Sequence, residues 1–356
     1  MNEKIKKILE LAIANKATDV HLSAGSLPKL RVDSQLLDVS MSGIEAEEIE
    51  ELIWLLLDEA KSRKVKVKKE VDFSFSMGEW RFRVNVYLQR GKPSAAIRII
   101  PLQVPDFDEL NLPKFMSSLV DLNQGFVLLT GPTGSGKSTT VASVINRIAQ
   151  SRPCHIVTIE DPIEYVISSK RSLISQRELG NDTLSFSRAL RSCLRQDPDV
   201  VFVGEMRDLK TISLALTVAE TGHLVFSTLH TNSAAQTVDR IIDVFPAETK
   251  DQIRLQLSSV LSAVISQRLL PSNGGGLIPA FEILTATPAV RNTIRENKSH
   301  TIDNIIQTSS DVGMVTLETY LANLVRSGKI SEETAMAYSV KPGELQNNLR
   351  SRKTTI

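Results

Sequence analysis

The chain has 356 residues, of which 42% are hydrophobic and 23% charged, which is typical of a globular protein of about two domains. Its 42 basic and 41 acidic residues leave a net charge of +1, which argues against a strongly basic nucleic-acid binder and against an acidic tail. The chain has two isolated cysteines, Cys154 and Cys193, which exclude a disulfide framework. The sequence contains no run of about 18 apolar residues, so it predicts no transmembrane segment. We therefore expect a cytoplasmic protein whose thiols are buried.

The first hundred residues alternate between helical and strand patterns. Apolar residues at helical spacing predict helices over residues 3–15 and over Glu45–Glu59. The basic run Lys61–Lys69 fits a nucleic-acid patch or a solvated helix end, and the flanking glutamates and the lack of aromatic residues favour the helix end. Alternating runs predict strands at Asp19–Leu22, Lys29–Val32, Leu36–Leu37, Val71–Ser76, Trp80–Gln89 and Ser94–Ile100, with a turn at Asp33–Ser34.

Arginines recur in and between the last two of these runs, at Arg81, Arg83, Arg90 and Arg98. Sheet arginines on a polar face are usually only solvated, but this density also fits a surface that reaches phosphate. The segment Pro101–Pro113 has three prolines and no periodicity, so it predicts a linker. We expect one domain over residues 1–100, a linker over 101–112 and a second domain over 113–356.

A glycine-rich loop stands near the start of the second domain. The apolar run Gly125–Thr130 predicts a buried strand before it, and Thr139–Ala149 predicts a helix after it. The loop has the spacing G-x-x-x-x-G-K-S, in which glycines let successive N–H groups face a phosphate chain at a helix N-terminus. A structural glycine turn is the alternative. The phosphate interpretation places Lys137 on the β- and γ-phosphates and Ser138 on Mg²⁺, within a binding set of Gly131, Pro132, Thr133, Gly134, Ser135, Gly136, Lys137, Ser138 and Thr139.

Acidic residues follow the next two buried strands. Glu160 and Glu164 come after the first, and Gly204 and Glu205 come after the second, which begins at Val200. Ligands bind at the carboxyl ends of parallel strands, so these carboxylates are candidates for ordering magnesium or water, with helix capping or an ordinary strand end as alternatives. Gly204 stands where many phosphate-loop proteins have a magnesium-binding aspartate. We therefore expect Glu205 to polarise the attacking water, while magnesium relies on the loop hydroxyl, the phosphates and waters held by Glu160 or Glu164.

A third strand, Leu224–Ser227, leads to His230, which is placed to sense a γ-phosphate. His223 and His230 are alternatively satisfied core histidines. Strands that alternate with helices predict an α/β fold with a parallel sheet covered on both sides. The remaining predictions are helices at Phe186–Gln196 and Lys250–Leu269, a hairpin tip at Asn273–Gly276, a strand at Leu277–Ile283, helices at Val290–Glu296, Asp303–Gln307, Leu317–Val325 and Glu332–Tyr338, and a disordered tail from Lys341.

The sequence resembles the secretion ATPases of the type II/type IV pilus superfamily, and within them the PilT-type retraction ATPases, over almost its whole length. Four motifs carry the resemblance: Gly131–Ser138, Thr158–Glu164, Asp197–Asp208 and Thr221–Asn232. Thr18–Ser23 and Arg81–Asn85 are similar to that family's small PAS-like domain. Ala289–Glu296 resembles its retraction motif, with Thr293 in place of the usual leucine, and Ser34 replaces a usual turn glycine. The sequence has no paired C-x-x-C insert like that of the assembly ATPases, and we expect it to be without their long N-terminal extension.

The resemblance implies a RecA-like P-loop ATPase core with a smaller α/β PAS-like N-terminal domain, assembled as a homohexamer that uses ATP and Mg²⁺. ATP would lie between the two domains and at subunit boundaries, with Glu205 positioning water and Arg83 and Arg98 closing on the γ-phosphate. His230 would report the γ-phosphate, and a domain rotation would act on an inner-membrane platform protein at the pilus base. The implied function is pilus retraction and twitching motility.

A pilus-assembly or type II secretion ATPase of the same superfamily shares these motifs and is the first alternative. Three others come from different functional classes: a nucleic-acid-translocating hexamer, a GTPase-like switch and a non-enzymatic scaffold, which would have no use for Glu205. A nucleic-acid-translocating hexamer needs basic pore loops, and the near-neutral charge argues against it, so we expect no direct nucleic-acid partner. A GTPase-like switch needs an N-K-x-D motif, which is absent from the sequence.

Overall fold

The computed structural model describes residues 2–32, 35–40, 44–101 and 103–351. The chain divides into an N-terminal unit, Met1–Gln103, and a C-terminal unit, Val104–Ile356. The division falls inside the segment that the sequence predicts as a linker, and residues 104–112 belong to the C-terminal unit, where Phe107 is buried. The turn predicted at Asp33–Ser34 lies outside the described residues.

The N-terminal unit is built on a six-stranded antiparallel sheet with the order β3-β2-β1-β6-β5-β4. One face of the sheet is buried because every second residue of β5, including Phe82, Val84 and Val86, packs into the core with Ile5 and Leu9 of the first helix. The elements are α1 Glu3–Ala14, β1 Asp19–Ser23, β2 Lys29–Val32, β3 Gln35–Asp38, α2 Ile49–Leu55, α3 Glu59–Lys68, β4 Glu70–Met77, β5 Trp80–Gln89 and β6 Lys92–Pro101.

The sequence predicted one helix over Glu45–Glu59, and this is wrong, because the segment is broken. A 3₁₀ turn at Ala46–Glu48 precedes α2, and α3 begins separately after Asp58, whose carboxylate accepts the backbone N–H of Lys61 at 2.7 Å. An aspartate at this position caps a new helix and ends the old one. The basic run is confirmed as a solvated helix, since it forms most of α3.

The C-terminal unit is built on a seven-stranded sheet with the order β13-β12-β7-β11-β10-β8-β9, in which only β13 is antiparallel to its neighbour. Both faces are covered, as predicted: Phe126 and Leu128 of β7 point to one apolar cluster, and Val127 and Leu129 point to another. The strands are β7 Gly125–Thr130, β8 His155–Glu160, β9 Leu173–Glu178, β10 Val200–Val203, β11 Leu224–Leu229, β12 Leu261–Pro271 and β13 Leu277–Thr285.

Eleven helices complete this unit in the part of the chain that the structure describes. None of the described helices has the length and apolar character needed to cross a membrane. They are α4 Phe115–Val120, α5 Lys137–Ser151, α6 Phe186–Cys193, α7 Leu209–Glu220, α8 Ala234–Asp243, α9 Lys250–Val260, α10 Pro288–Arg295, α11 Ile302–Thr308, α12 Leu317–Arg326, α13 Glu332–Tyr338 and α14 Pro342–Arg350.

Two predictions for this unit are wrong. The helix predicted over Lys250–Leu269 ends at Val260, because the next residues pair with both β7 and β13 as strand β12. The tail predicted to be disordered from Lys341 forms α14, whose Leu345 is fully buried in the cluster that also contains Leu321 of α12. Residues 352–356 lie outside the described residues.

Candidate active site

The glycine-rich loop leaves the buried strand β7 and enters α5 in a backbone conformation that requires glycine. Gly131 has φ +142° and Gly136 has φ +84°. A Cβ atom at Gly131 would lie 2.2 Å from the carbonyl oxygen of Gln267, and one at Gly136 would lie 2.9 Å from its Nε2 atom. The loop can therefore press against β12, which carries Gln267, only with glycine at both positions.

Lys137, at the first position of α5, is 7% exposed. Its Nζ atom donates to the carbonyl oxygens of Gly131 at 2.8 Å and of Pro132 at 2.9 Å. Burial lowers the pKa of Lys137, and the negative charges of Glu205 and Glu164 partly offset this effect. The ammonium therefore lies within the loop, and both carboxylates lie near enough to influence it.

The loop also contains a buried hydroxyl whose hydrogen-bonding capacity is unused. Ser135 is 3% exposed, and its Oγ atom has no hydrogen-bond partner among the described residues. Buried polar groups are normally satisfied, so such an atom indicates a place where a polar ligand completes the structure. The orphaned hydroxyl, the missing Cβ atoms and the helix N-terminus together fit a phosphate chain.

The two hydroxyl residues after Lys137 are half-buried in the first turn of α5. Thr139 Oγ1 lies 3.1 Å from the hydroxyl of Tyr165, so that side chain is turned toward the loop after β8. Ser138 is the residue that would hold magnesium. Among the described residues, no group of three or more acidic, histidine or cysteine side chains is placed to hold a metal ion.

Glu160 ends β8 and is 8% exposed. Its Oε1 atom accepts the hydroxyl of Thr158 at 2.6 Å and the side-chain amide of Gln176 at 3.1 Å. Burial is the main cause that raises the pKa of Glu160 to about 7, with a smaller contribution from the charge of Glu164. The carboxyl group can therefore hold or release a proton near neutral pH.

The neighbouring strand β9, which the sequence did not predict, fixes the loop that follows Glu160. The side chain of Gln176 accepts the backbone N–H of Ile167 at 2.8 Å and donates to the carbonyl of Tyr165 at 2.9 Å. Glu178 accepts the backbone N–H of Ile163 at 3.1 Å. Neither β9 residue stands in a motif, and the strand has two apolar residues followed by four polar ones, so no alternation in its sequence could have indicated them.

Glu205 lies just after β10, where its two carboxylate oxygens have different partners. Arg207 donates to Oε2 at 2.8 Å, and His230 Nε2 lies 3.3 Å from Oε1. Burial acts to raise the pKa of Glu205, but the hydrogen bond and charge of Arg207, with those of His230, outweigh it and lower the pKa. Glu205 is therefore held as a carboxylate in a fixed orientation.

The structure gives a physical reason for Gly204. A Cβ atom at this position would lie 3.3 Å from the Cα atom of Glu160 and 3.3 Å from the carbonyl oxygen of Ile159. An aspartate here would crowd the end of β8. The close approach of β8 and β10 brings Glu160 and Glu205 to the same edge of the sheet.

The two candidate histidines, His223 and His230, lie at opposite ends of β11 and have different partners. His230 follows the carboxyl end of β11 and contacts Glu205. His223 precedes the opposite end of that strand, and its Nδ1 atom lies 2.9 Å from the carbonyl oxygen of Val218 and 3.1 Å from Thr221 Oγ1. His223 is therefore a satisfied structural histidine.

The candidate arginines lie in the N-terminal unit. Arg83 of β5 stands directly opposite Arg98 of β6, and Arg98 stands opposite Asp19 of β1. Arg98 Nε donates to Asp19 Oδ1 at 2.9 Å. Two cations facing each other across a sheet repel, so this aspartate stabilises the pair.

Comparisons with known proteins match this architecture. The family model described as "Type II/IV secretion system protein" matches residues 1–275. The chain is 48% identical over 332 residues to the type IV pilus retractation ATPase PilT of Pseudomonas aeruginosa, covering 93% of this chain and 96% of that protein. It is 50% identical over 310 residues to a twitching motility protein of Neisseria gonorrhoeae, covering 86% of this chain and 83% of that protein.

A solved structure matches the whole fold. The crystal structure of the pilus retraction motor PilT with bound ADP superposes with a TM-score of 0.90 at 46% identity and covers 96% of this chain and 98% of that chain. The match confirms the predicted fold class, a RecA-like ATPase core with a smaller α/β N-terminal domain. The chain therefore belongs to the type II/IV secretion system protein family, among its PilT-type pilus retraction ATPases.

Proposed function

We propose that this chain is the subunit of a hexameric motor that hydrolyses ATP to retract type IV pili. The observation that carries the proposal is the meeting of the 131–138 loop, Glu160 and Glu205 at one edge of the parallel sheet. Relatives that match nearly the whole chain are pilus retraction and twitching motility proteins, which supports the direction of the motor.

ATP binding is assigned to the residues of the loop from Gly131 to Thr139. Their backbone N–H groups face the phosphates, and Lys137 exchanges the carbonyls of its own loop for β- and γ-phosphate oxygens. Ser138 would hold Mg²⁺, together with waters on Glu160 or Glu164. The ion, when bound, neutralises charge that develops on the phosphate oxygens.

Glu205 is assigned the role of orienting and polarising the attacking water. Arg207 and His230 support this role, because they keep the Glu205 carboxylate ionised and fixed. His230 connects Glu205 to the residues after β11, so a change at the γ-phosphate can reach the loop that precedes α8. Arg83 and Arg98 are assigned to close on the γ-phosphate.

The proposed partners follow from family membership. Six copies of the chain form the motor, and ATP hydrolysis rotates one domain relative to the other. The rotation acts on an inner-membrane platform protein at the base of the pilus. The motor is therefore cytoplasmic and docked at the inner membrane.

The proposal is tested by deleting the gene in its host, counting surface pili and scoring surface motility. We expect the deletion strain to have abundant surface pili but no surface motility. The intact gene and an E248Q gene should restore motility, and an E205Q gene should not. Glu248 is an exposed glutamate of the same unit and serves as the matched control. Cells without pili would instead identify an assembly ATPase.

A further inference from the structure

Helix α3 of the N-terminal unit exposes almost all of its side chains. Val65 is the one buried residue among the ten of this helix. Val67 is 79% exposed although it is apolar and β-branched, and Leu55, at the end of α2, is 57% exposed. A helix that buries so little surface on its own fold has most of its surface available to a partner.

Specific contacts nevertheless hold α3 in place. Asp58 caps its N-terminus, and the backbone N–H of Lys69 bonds to the carbonyl of Val65 at 2.9 Å. Lys61 Nζ lies 5.0 Å from the ring centre of Phe73, and Lys66 Nζ lies 5.7 Å from that of Trp54. The exposed side is thus presented on a fixed element next to the end of α2.

The exposed side carries a local excess of positive charge. Residues 61–69 contain six basic side chains and no acidic one, in a chain whose net charge is only +1. Lys61 pairs with Asp58, and Arg63 lies 3.7 Å from Glu59. The ammonium groups of the other four are in no carboxylate ion pair within the described chain; they are Lys64, Lys66, Lys68 and Lys69.

We propose that this basic face, defined as Lys64, Lys66, Val67, Lys68 and Lys69, binds the surface of an anionic lipid bilayer. Lys64, Val67 and Lys68 share one side of the helix because they are three or four residues apart. Lysines near an anionic membrane surface are attracted to it, and an exposed valine at their centre can enter the boundary between headgroups and acyl chains. The inference adds a lipid partner to the motor and does not depend on its ATP site.

The composition of the face favours lipid over nucleic acid. Its charges are all lysine, whereas planar and bidentate recognition of nucleic-acid groups favours arginine. Leu55, at the end of α2, is an exposed apolar side chain that suits the apolar side of a membrane interface. A polyanion in water would leave Val67 and Leu55 without an apolar environment.

The test is sedimentation of the full-length protein with vesicles of phosphatidylcholine alone or mixed with phosphatidylglycerol. We expect binding to the anionic vesicles and loss of that binding at high salt. The variant K64E/K66E/K68E should bind roughly a hundredfold more weakly, since each of the three lysines contributes about fivefold. Val67→Ser should weaken binding by a few fold, and K64R/K66R/K68R should retain it.

The control variant K114E/K170E/K329E changes the net charge equally at three exposed lysines of the C-terminal unit. It should bind vesicles as the unchanged protein does, and all variants should keep the basal ATPase rate measured without lipid. Equal binding to both vesicle types, or equal weakening by the control, would overturn the proposal. Binding to single-stranded DNA without binding to anionic vesicles would also overturn it and identify a nucleic-acid surface.

Discussion

The carboxylate of Glu205 is fixed from two sides by residues that belong to different strand ends. Arg207, two residues after Glu205 in the sequence, donates to one carboxylate oxygen. His230, just after the end of β11, contacts the other. A group that must orient a water molecule benefits from such restraint, because positioning accounts for much of a catalytic effect. The arrangement also holds the pKa of Glu205 below its ordinary value, mainly through the hydrogen bond and charge of Arg207, which outweigh the effect of burial.

We expect Glu205→Gln to bind ATP with nearly unchanged affinity and to hydrolyse it about 10²–10⁴-fold more slowly, which is the usual contribution of a positioned base. The amide keeps the size of the side chain but loses the charge that polarises water. Steady-state ATPase rates and binding of a fluorescent ATP analogue measure the two effects, with Glu248→Gln as the control. Unchanged turnover in the Glu205 variant would remove this residue from its assigned role.

Glu160 predicts a pH dependence of stability. Burial raises its pKa to about 7 in the folded chain, so the proton is bound more tightly there than in the unfolded chain, whose glutamates titrate near their ordinary value. Its contribution to the free energy of unfolding is therefore complete below about pH 4 and is lost as the pH rises through about 7. Glu160→Gln removes this loss.

Urea denaturation of the unchanged protein and of Glu160→Gln, from pH 5 to pH 8, measures the effect. The difference in the free energy of unfolding should shift in favour of the variant by up to about 3 kcal/mol between these limits. Glu248→Gln should show a flat difference over the same range. A flat difference for Glu160→Gln as well would mean that its carboxyl group is already ionised at pH 5.

Strand β12 supports the glycine-rich loop through Gln267, a residue that is 2% exposed. Its Oε1 atom accepts the hydroxyl of Thr140 at 2.8 Å, and its backbone lies against Gly131. We expect Gln267→Ala to weaken ATP binding by roughly 5–30-fold, because it leaves the buried Thr140 hydroxyl unpaired and loosens the loop. The ATPase rate at saturating ATP should fall much less.

Titration with a fluorescent ATP analogue checks this expectation. Gln252→Ala, at an exposed position of α9, is the matched control and should bind as the unchanged protein does. A Gln267 variant with normal affinity and a normal rate would show that β12 does not tune the loop.

The sequence predicted an element correctly where one local pattern of residues was clear. It failed where hydrogen bonding to distant strands determines whether a segment is helix or strand. The alternation of β5 gave its bounds, Trp80–Gln89, and the glycines around Lys137 gave the loop. The segment after Val260 looked helical, but its backbone finds partners on two neighbouring strands, and these long-range bonds outweigh local preference.

The candidate site shows the same limit. Its motif residues were found because phosphate chemistry demands particular side chains at fixed spacing. Gln176 and Gln267 were missed because they act on loops that are distant in sequence, at 16 and 127 residues from Glu160 and Thr140 respectively. A single sequence contains no signal for such pairings.

The whole motor is expected to share each ATP site between subunits. We predict that Arg83→Ala and Lys137→Ala proteins are each inactive, the first because it lacks an arginine worth about 10³-fold or more in rate. Co-assembly of equal amounts should restore activity at about a quarter of the sites in a ring, where an intact Lys137 meets an intact arginine of the neighbour.

The measurement is the ATPase rate of the mixture compared with the sum of the two separate rates, with hexamer formation followed by light scattering. Arg90→Ala, on the turn between β5 and β6, is the control and should be active alone. A mixture no more active than the separate proteins would place both groups in the same subunit.

Lys137 donates hydrogen bonds to the carbonyl oxygens of Gly131 and Pro132, so these oxygens compete with any anion for the Lys137 ammonium group. An incoming anion has to replace two acceptors that are already in place, at a group whose pKa burial has lowered. A single phosphate ion offers little advantage over two amide oxygens, whereas a chain of phosphates also reaches the N–H groups and the Ser135 hydroxyl. We therefore expect the loop to bind a single phosphate ion more weakly than a chain of phosphates.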